Sequence, residues 1–414
     1  MTGYTIFPDR GRGDYGLLLA GNGVSAFGNS LFLVGLMLYF SNRFVSPLML
    51  GLAQAAAFMP MFLLSYYAGV VADGAPRPRI LAASDLIRGL GLGLTAWLLP
   101  RVEAVSGSAG GFLLVLLVLV MGSMQAFFQP AVVSLVSDLP QAEGAPRRDR
   151  LALRTAVNHL ASLAGQGLGG LALSLVGFPA LLALNALGFS LSGLSELLIR
   201  EPREKGLSKK EASPPSSPTD IVAELIELNR RGAGIDLFII NQFLLPLFTV
   251  SFPFFIQYRL KLPQSFVGYL FASVLAGSIA ASLLRGRRNT KRTNSQSVYL
   301  FGLFLSLIAL GASFLNSSPR IWLLFAGAVS LGFSVASVYL HTLAAVQYHG
   351  RAESKGRRHG SLEALSGGLT PLAYLVGGVA AELLPLGSGL IFLISGSILA
   401  LFCLAKLFFV TLLR

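Results

Sequence analysis

Apolar runs of about 20 residues recur from one end of the chain to the other, the length an α-helix needs to cross the hydrocarbon core of a bilayer. Twelve such spans are read, near 17–41, 48–72, 80–100, 111–136, 153–176, 178–199, 235–257, 265–285, 298–316, 320–346, 360–384 and 387–412. The runs are continuously apolar and do not alternate, which favours helices over a membrane barrel. Composition agrees: 54% of the 414 residues are hydrophobic, 12% are charged and the mean hydropathy is +0.68. That leaves too little polar surface for a soluble protein of this size. The expected fold class is an all-α membrane protein.

The polar start, with Pro8, Asp9, Arg10, Arg12 and Asp14, has no short apolar core followed by a small-residue cleavage site, so no removable signal peptide is read. Cys403 is the single cysteine. It excludes an internal disulfide and a cysteine-built metal site, and reads as a small core residue. If both termini and the even-numbered connections share one side, that side collects Arg10, Arg12, Arg77, Arg79, the 147–154 group, the 200–231 segment, 285–292, 351–358 and Arg414. The other side holds only Arg43, Arg101, Arg259, Lys261 and Arg320, while Arg88 and Lys406 fall inside spans. This asymmetry predicts cytoplasmic termini. The net charge of +13 is then a topology signal that also attracts anionic membrane lipids, and it requires no nucleic-acid partner.

Residues 200–232 differ from the other connections. Arg203, Glu204, Lys205, Lys209, Lys210 and Glu211 precede Ser213-Pro-Pro-Ser-Ser-Pro218, the pattern of a solvated linker. Ile221-Val-Ala-Glu-Leu-Ile-Glu-Leu228 has apolar residues at helical spacing, which fits either a short helix on the membrane surface or an extension of the seventh span. Six spans lie on each side, giving halves at 1–199 and 233–414. The halves match: Asn22 with Asn241, Gly51 with Gly268, Gly122 with Gly332, and Leu163-Ala-Gly-Gln-Gly-Leu-Gly-Gly170 with Pro371-Leu-Ala-Tyr-Leu-Val-Gly-Gly378. Two six-span halves in one orientation make a parallel repeat.

Between the second and third spans lies Gly69-Val-Val-Ala-Asp73-Gly-Ala-Pro-Arg77-Pro-Arg79, expected as a tight charged loop at a membrane face. With the twelve-span repeat and the long central loop, it resembles the signature of the major facilitator superfamily, Gly-x-x-x-Asp-Arg/Lys followed by basic residues. Gly69 and Asp73 match, Arg77 and Arg79 supply the trailing charges, and Gly74 stands where a basic residue is usual. The second-half stretch Gly286-Arg-Arg-Asn-Thr290 has no acid. The order Asp85-Leu-Ile-Arg88, Phe127-Phe-Gln-Pro130, Asp138 and Asn158 is similar to the branch of bacterial macrolide and siderophore exporters and lysophospholipid transporters.

The resemblance implies rocker-switch alternating access, with charges at helix ends holding one closed state. The gating candidates are Asp73, Arg77, Arg79, Asp85, Arg88, Asp138, Arg357 and Arg358. Asp73 is expected to meet the start of the eleventh span or Arg357 and Arg358, where a helix dipole favours a carboxylate. Asp85 and Arg88, at i and i+3, share a helix face inside the membrane, where lone charge is costly. They are expected to pair with each other, with Asp138 or with Arg77; an assembly lock is the competing role. The family lines its cavity with spans one, four, seven and ten, which here offer Asn22, Asn29, Gln125, Gln129, Asn241, Gln242 and His341 as substrate-binding candidates. Interhelical hydrogen bonding competes for each amide. Phe248, Phe252 and Phe255 form a stripe at helical spacing that reads as packing or lipid contact.

No Asp or Glu stands mid-membrane in spans one, four, seven or ten, so the remaining proton-coupling candidates are His159, His341 and Glu363. A sugar phosphate or dicarboxylate would require Arg or Lys at the midplane. Gly165-Gln-Gly-Leu-Gly-Gly170 lies inside a span and lacks a following Gly-Lys-Ser/Thr, so ATP use is not indicated. Its spaced glycines instead permit close helix approach. The leading expectation is a monomeric secondary transporter without cofactor, exporting lipophilic or amphiphilic small molecules across a bacterial inner membrane, and not an enzyme. A lysophospholipid flippase and a non-transporting assembly factor or scaffold remain open.

Overall fold

The computed structural model describes residues 10–138, 147–199, 223, 226–230, 233–286, 321–348, 355–385 and 390–412. Every regular element among them is helical. The order is α1 (Arg10–Arg43), α2 (Pro47–Gly74), α3 (Arg77–Val105), α4 (Gly107–Asp138) and a long stretch Arg147–Leu197. It continues with α7 (Ile235–Phe254), a π-helical turn (Phe255–Arg259), α8 (Ser265–Gly286), α9 (Ile321–Tyr348), α10 (Lys355–Leu383) and α11 (Leu390–Leu412). The long stretch is broken at Gly177, whose φ of 75° and ψ of 167° suit only a residue without Cβ. Residues 147–176 and 178–197 are therefore α5 and α6. Pro179 sits in the first turn of α6, where its missing N–H is harmless.

Eight described stretches are long and apolar enough to cross a membrane. One of them, Val157–Leu197, has 41 residues and would extend about 60 Å if straight, twice a hydrocarbon core, so it carries two crossings end to end. Eleven of the twelve expected spans coincide with described helices. The ninth, 298–316, lies outside the described residues, as do the proline-rich segment and residues 287–290.

The 69–79 stretch is helical for most of its length. α2 runs through Gly69 and Asp73 to Gly74, and α3 begins at Arg77, leaving only Ala75 and Pro76 between them. Pro76 and Pro78 explain the abrupt restart, since proline is pre-set for a helix's first turn. A Cβ added at Gly69 meets nothing within 4 Å, so packing does not demand glycine there. Arg101 likewise lies on α3, stacked 4.1 Å over the Trp97 ring.

Residues 226–230 are helical, and Gly234 at φ 69° turns the chain before α7. That left-handed turn excludes a straight extension of α7. Asn229 Oδ1 instead accepts from the backbone N–H groups of Ile235 (2.9 Å) and Asp236 (3.3 Å), capping the helix from outside. Leu228 is buried with Ala233, Ile235 and Ala345.

The chain divides into two compact units, residues 1–39 with 56–211, and residues 40–55 with 212–414. In the first, α3 packs on α4 and on α6, and Tyr15, Leu18, Ala72, Leu81, Phe128, Leu135 and Ile199 form a core at one end. Gly165 and Gly169 of α5 face α1: a Cβ on the former would strike the Phe27 carbonyl, and on the latter would sit 2.8 Å from Val34 Cβ. Gly122 of α4 faces the Ala57 carbonyl and Pro60 of α2.

The second unit repeats these contacts. Gly377, matched in sequence to Gly169, places an added Cβ 3.0 Å from Leu247 Cα on α7. Gly332 of α9, matched to Gly122, faces the Val274 carbonyl of α8. The same pairs of helices thus meet at the same glycines in both halves, which is the parallel repeat in atomic form. Two left-handed residues that are not glycine, Val45 (φ 50°) and Lys261 (φ 55°), occupy the corresponding connections α1–α2 and α7–α8. Within this unit Phe248, Phe252 and Phe255 all pack against Phe392 of α11, at ring separations of 5.3, 5.8 and 5.2 Å, so the aromatic stripe is helix packing. Lys406, unexplained inside an apolar run, meets Asp236 of α7 at 2.7 Å.

Candidate functional site: a buried charged cluster

The charged residues that sequence places inside the third span are brought together with polar groups of three other helices. Asp85 is 0% exposed and Arg88 4%. Arg88 Nη2 lies 3.0 Å from Asp85 Oδ1, a pairing by proximity of charge without an aligned hydrogen bond. Ser25 of α1 donates to Asp85 Oδ2 at 3.0 Å. The guanidinium donates through Nε to the Ser84 carbonyl (3.2 Å) and through Nη1 to Gln125 Oε1 of α4 (3.1 Å). Its two faces are covered by Phe128 and Phe189, 4.7 and 5.0 Å from the ring centroids. Planar delocalised arginine suits such a sandwich, where lysine would not stack.

α6 completes the cluster. Ser190 lies against Gly89 of α3, Ser192 lies beside Asp85, and Glu196 is 0% exposed within electrostatic reach of both Asp85 and Arg88. Neither carboxyl oxygen of Glu196 has a hydrogen-bond partner among the described residues. Small residues at the α3–α6 contact make this approach possible: a Cβ at Gly89 would press on Ser190 Oγ at 2.6 Å, and one at Gly193 would press on the Ala82 carbonyl at 3.0 Å. On α1, Asn22 stands one turn before Ser25, and its Oδ1 accepts from Nε of Arg154 of α5, also buried, at 3.2 Å.

The structure thus sorts the expected site residues. Asp85 and Arg88 pair with each other, as one of the expected options had it. Gln125 is drawn into the charge cluster, and Asn22 spends both ends of its amide inside the first unit, giving Nδ2 to the Leu18 carbonyl at 2.9 Å. For these two amides the geometry is interhelical or local bonding. Asn29 and Gln129 are half-buried on α1 and α4, and Gln242 is half-buried on α7. Asn241 is buried with Nδ2 unpartnered among the described residues, and His341 is buried next to Thr342, whose hydroxyl donates to the Gly234 carbonyl at 3.3 Å. His159 is half-buried on α5, Arg77 half-buried and Arg79 exposed at the start of α3. Asp73, Asp138, Arg357, Arg358 and Glu363 fall on helices, but their side chains lie outside the described residues.

Sequence reading missed Glu196, Ser25 and Arg154. The signal for Glu196 was available: an acid three residues inside the end of an apolar span, in Ser195-Glu-Leu-Leu-Ile-Arg200.

Comparison with solved structures finds the same fold. A crystal structure of the nucleoside transporter NupG superposes with a TM-score of 0.71 at 14% identity, covering 95% of this chain and 98% of that one. A POT family transporter in complex with a thioalcohol-conjugated peptide gives 0.69 at 13% identity, covering 97% and 96%. A bacterial homologue of the human lysosomal transporter Spinster, inward-facing and unoccupied, gives 0.67 at 14% identity, covering 96% of each. No curated protein matches the sequence. The Major Facilitator Superfamily model matches residues 18–357, most of the chain. With its helical repeat and its membrane-length apolar spans, the chain belongs to the Major Facilitator Superfamily.

Proposed function

We propose that this protein is a secondary transporter that exports lipophilic or amphiphilic small molecules by alternating access. The observation that supports this substrate class is the placement of charge on α1, α4, α7 and α9, the helices that family architecture assigns to the substrate path. Arg10, Arg12, Asp14 and Arg43 stand near the ends of α1, Asp138 ends α4, Asp236 opens α7, and α9 has no Asp, Glu, Lys or Arg. A multiply charged substrate would find no counter-ion along the middle of these helices. Their amides suit hydrogen bonding to a neutral or amphiphilic molecule: Asn29 on α1, Gln129 on α4, and Asn241 and Gln242 on α7, to which α9 adds His341.

In this reading the halves 1–199 and 233–414 move about the 200–232 linker, and Asp85 with Arg88 hold one state closed, assisted by Asp73, Arg77, Arg79, Asp138, Arg357 and Arg358. The basic connections support cytoplasmic termini and a bacterial inner membrane, and the residue order supports the macrolide, siderophore and lysophospholipid branch. A single chain suffices for this mechanism, in keeping with a monomer. Purified protein in proteoliposomes tests the substrate class. Saturable movement of a fluorescent lipophilic cation is expected, with none of a nucleoside or a dipeptide. Saturable nucleoside or peptide movement without the lipophilic cation overturns it. Movement of labelled lysophospholipid alone selects the flippase.

A further inference from the structure

We propose that Arg154 of α5 binds the phosphate group of an anionic membrane lipid, with Asn22 of α1 holding the guanidinium in place. Two buried arginines of the first unit differ in how they are served. Arg88, 4% exposed, has Asp85, the Ser84 carbonyl, Gln125 and two aromatic rings around it. Arg154, 7% exposed, has one neutral acceptor, Asn22 Oδ1 at 3.2 Å. Among the described residues no carboxylate pairs with it. A guanidinium withdrawn from water needs an anion or several acceptors, and one amide oxygen is too little.

Asn22 decides which nitrogens remain. Its Nδ2 is held by the Leu18 carbonyl at 2.9 Å, so Oδ1 faces Arg154 and takes Nε. Both terminal nitrogens of Arg154 then lack an acceptor among the described residues, and they are not sealed off. Tyr15 of α1 lies within electrostatic reach of the same guanidinium. The two helices are close here, because a Cβ at Gly23 of α1 would lie 3.2 Å from Val157 Cγ1. One turn on from Arg154, Asn158 has its Oδ1 enclosed and without a partner among the described residues, a second unmet polar group on this helix. The two terminal nitrogens of an arginine lie in one plane and match two oxygens of a phosphate.

Depth and charge select a lipid as the source of that phosphate. Arg154 stands three residues before Val157, where the membrane-length apolar stretch begins, which puts it about 4–5 Å beyond the hydrocarbon, at the level of lipid headgroups. Leu153 and Leu160, next to it on α5, are 49% and 59% exposed and offer a course for an acyl chain. The first turn of α5 sets Arg147, Arg148 and Arg150 against Asp149 alone, which favours a lipid of net negative charge over a zwitterionic one. This site does not depend on the transport reading.

Native mass spectrometry of the full-length protein in detergent, titrated with phosphatidylglycerol, phosphatidylcholine or glycerol phosphate, tests the site, with the melting shift that each ligand causes as a second readout. The parent is expected to hold phosphatidylglycerol more tightly than phosphatidylcholine and to melt higher in its presence. Arg154→Gln is expected to bind that lipid about tenfold more weakly and to lose the melting shift. Arg154→Lys keeps the charge without the planar fork and is expected to bind about threefold more weakly. Arg101→Gln removes the same charge from α3 and is expected to bind as the parent does. Equal binding by the parent and Arg154→Gln, or an equal loss in Arg101→Gln, overturns the proposal. A parent that prefers glycerol phosphate to the lipid also overturns it, by making the ligand a soluble phosphate ester. No preference between the two lipids overturns it too, since Arg154 would then reach only water. Should Arg154→Gln fail to fold, binding by Arg154→Lys at parent strength overturns the proposal in its place.

Discussion

Glu382 of α10 accepts a hydrogen bond from Ser46 Oγ at 2.8 Å and another from the backbone N–H of Leu48 at 3.0 Å. Ser46 Oγ in turn accepts from the N–H of Met49 at 3.3 Å, so the start of α2 has both a local serine cap and a carboxylate from a distant helix. The carboxylate is exposed, and water replaces part of what its removal takes away. Glu382→Ala is therefore expected to destabilise the protein by about 1 kcal/mol, seen as a lower melting temperature, with Glu382→Gln closer to the parent. Equal melting of Glu382→Ala and parent would show that this contact contributes nothing.

Backbone contact at matched glycines makes a second expectation. Gly122→Ala and Gly332→Ala each push a methyl group into a carbonyl on the neighbouring helix, and helix backbones cannot yield as a flexible side chain does. A loss of about 2 kcal/mol or more is expected for each, read as reduced yield of monodisperse protein and earlier melting. Gly69→Ala meets open space and is expected to behave as the parent. If Gly69→Ala proved the worst of the three, packing would not be the reason for that glycine.

Removal of Arg88 alone leaves two enclosed carboxyl groups without their cation. Arg88→Met is expected to cost about 3–5 kcal/mol, the range for breaking a buried pair from one side. The double change Asp85→Asn with Arg88→Gln removes charge in balance and is expected to cost less than the sum of the single changes. A double-mutant cycle on melting or denaturant unfolding measures the difference; strict additivity would mean the pair is not coupled.

Asp236 and Lys406 are closer, at 2.7 Å, yet their side chains are 16% and 37% exposed. Proximity alone does not make a strong pair at such an edge. Lys406→Met is expected to cost no more than about 1 kcal/mol, less at high salt. A loss as large as that of Arg88→Met would mark this pair as the more important of the two.

The architecture was legible because its causes are local in sequence. Span length, glycine spacing and the Asn22–Asn241 and Gly122–Gly332 matches depend on the residues themselves, and α1, α7, α4 and α9 carry them where expected. The break between α5 and α6 was expected between residues 176 and 178, and the left-handed Gly177 stands there. The 69–79 stretch was harder. Its charges suggested a loop, but charge does not end a helix, and only Ala75 and Pro76 leave it. The polar cluster was half legible: Asp85 and Arg88 share a face at i and i+3, whereas Glu196 joins them from 111 positions away (196 − 85), a contact that α3–α6 packing creates and no local pattern encodes. The amides divided similarly. Nothing about Asn22 in sequence reveals that Arg154 consumes its oxygen.

The glycine contacts of Gly122 with Ala57 and of Gly332 with Val274 have a use beyond stability. Since one chain makes the same joint twice, each half serves as an experimental control for the other. A substitution made in turn at both copies holds lipid, expression and purification constant. Any difference between the two outcomes then measures how far the duplicated halves have diverged in the work they do.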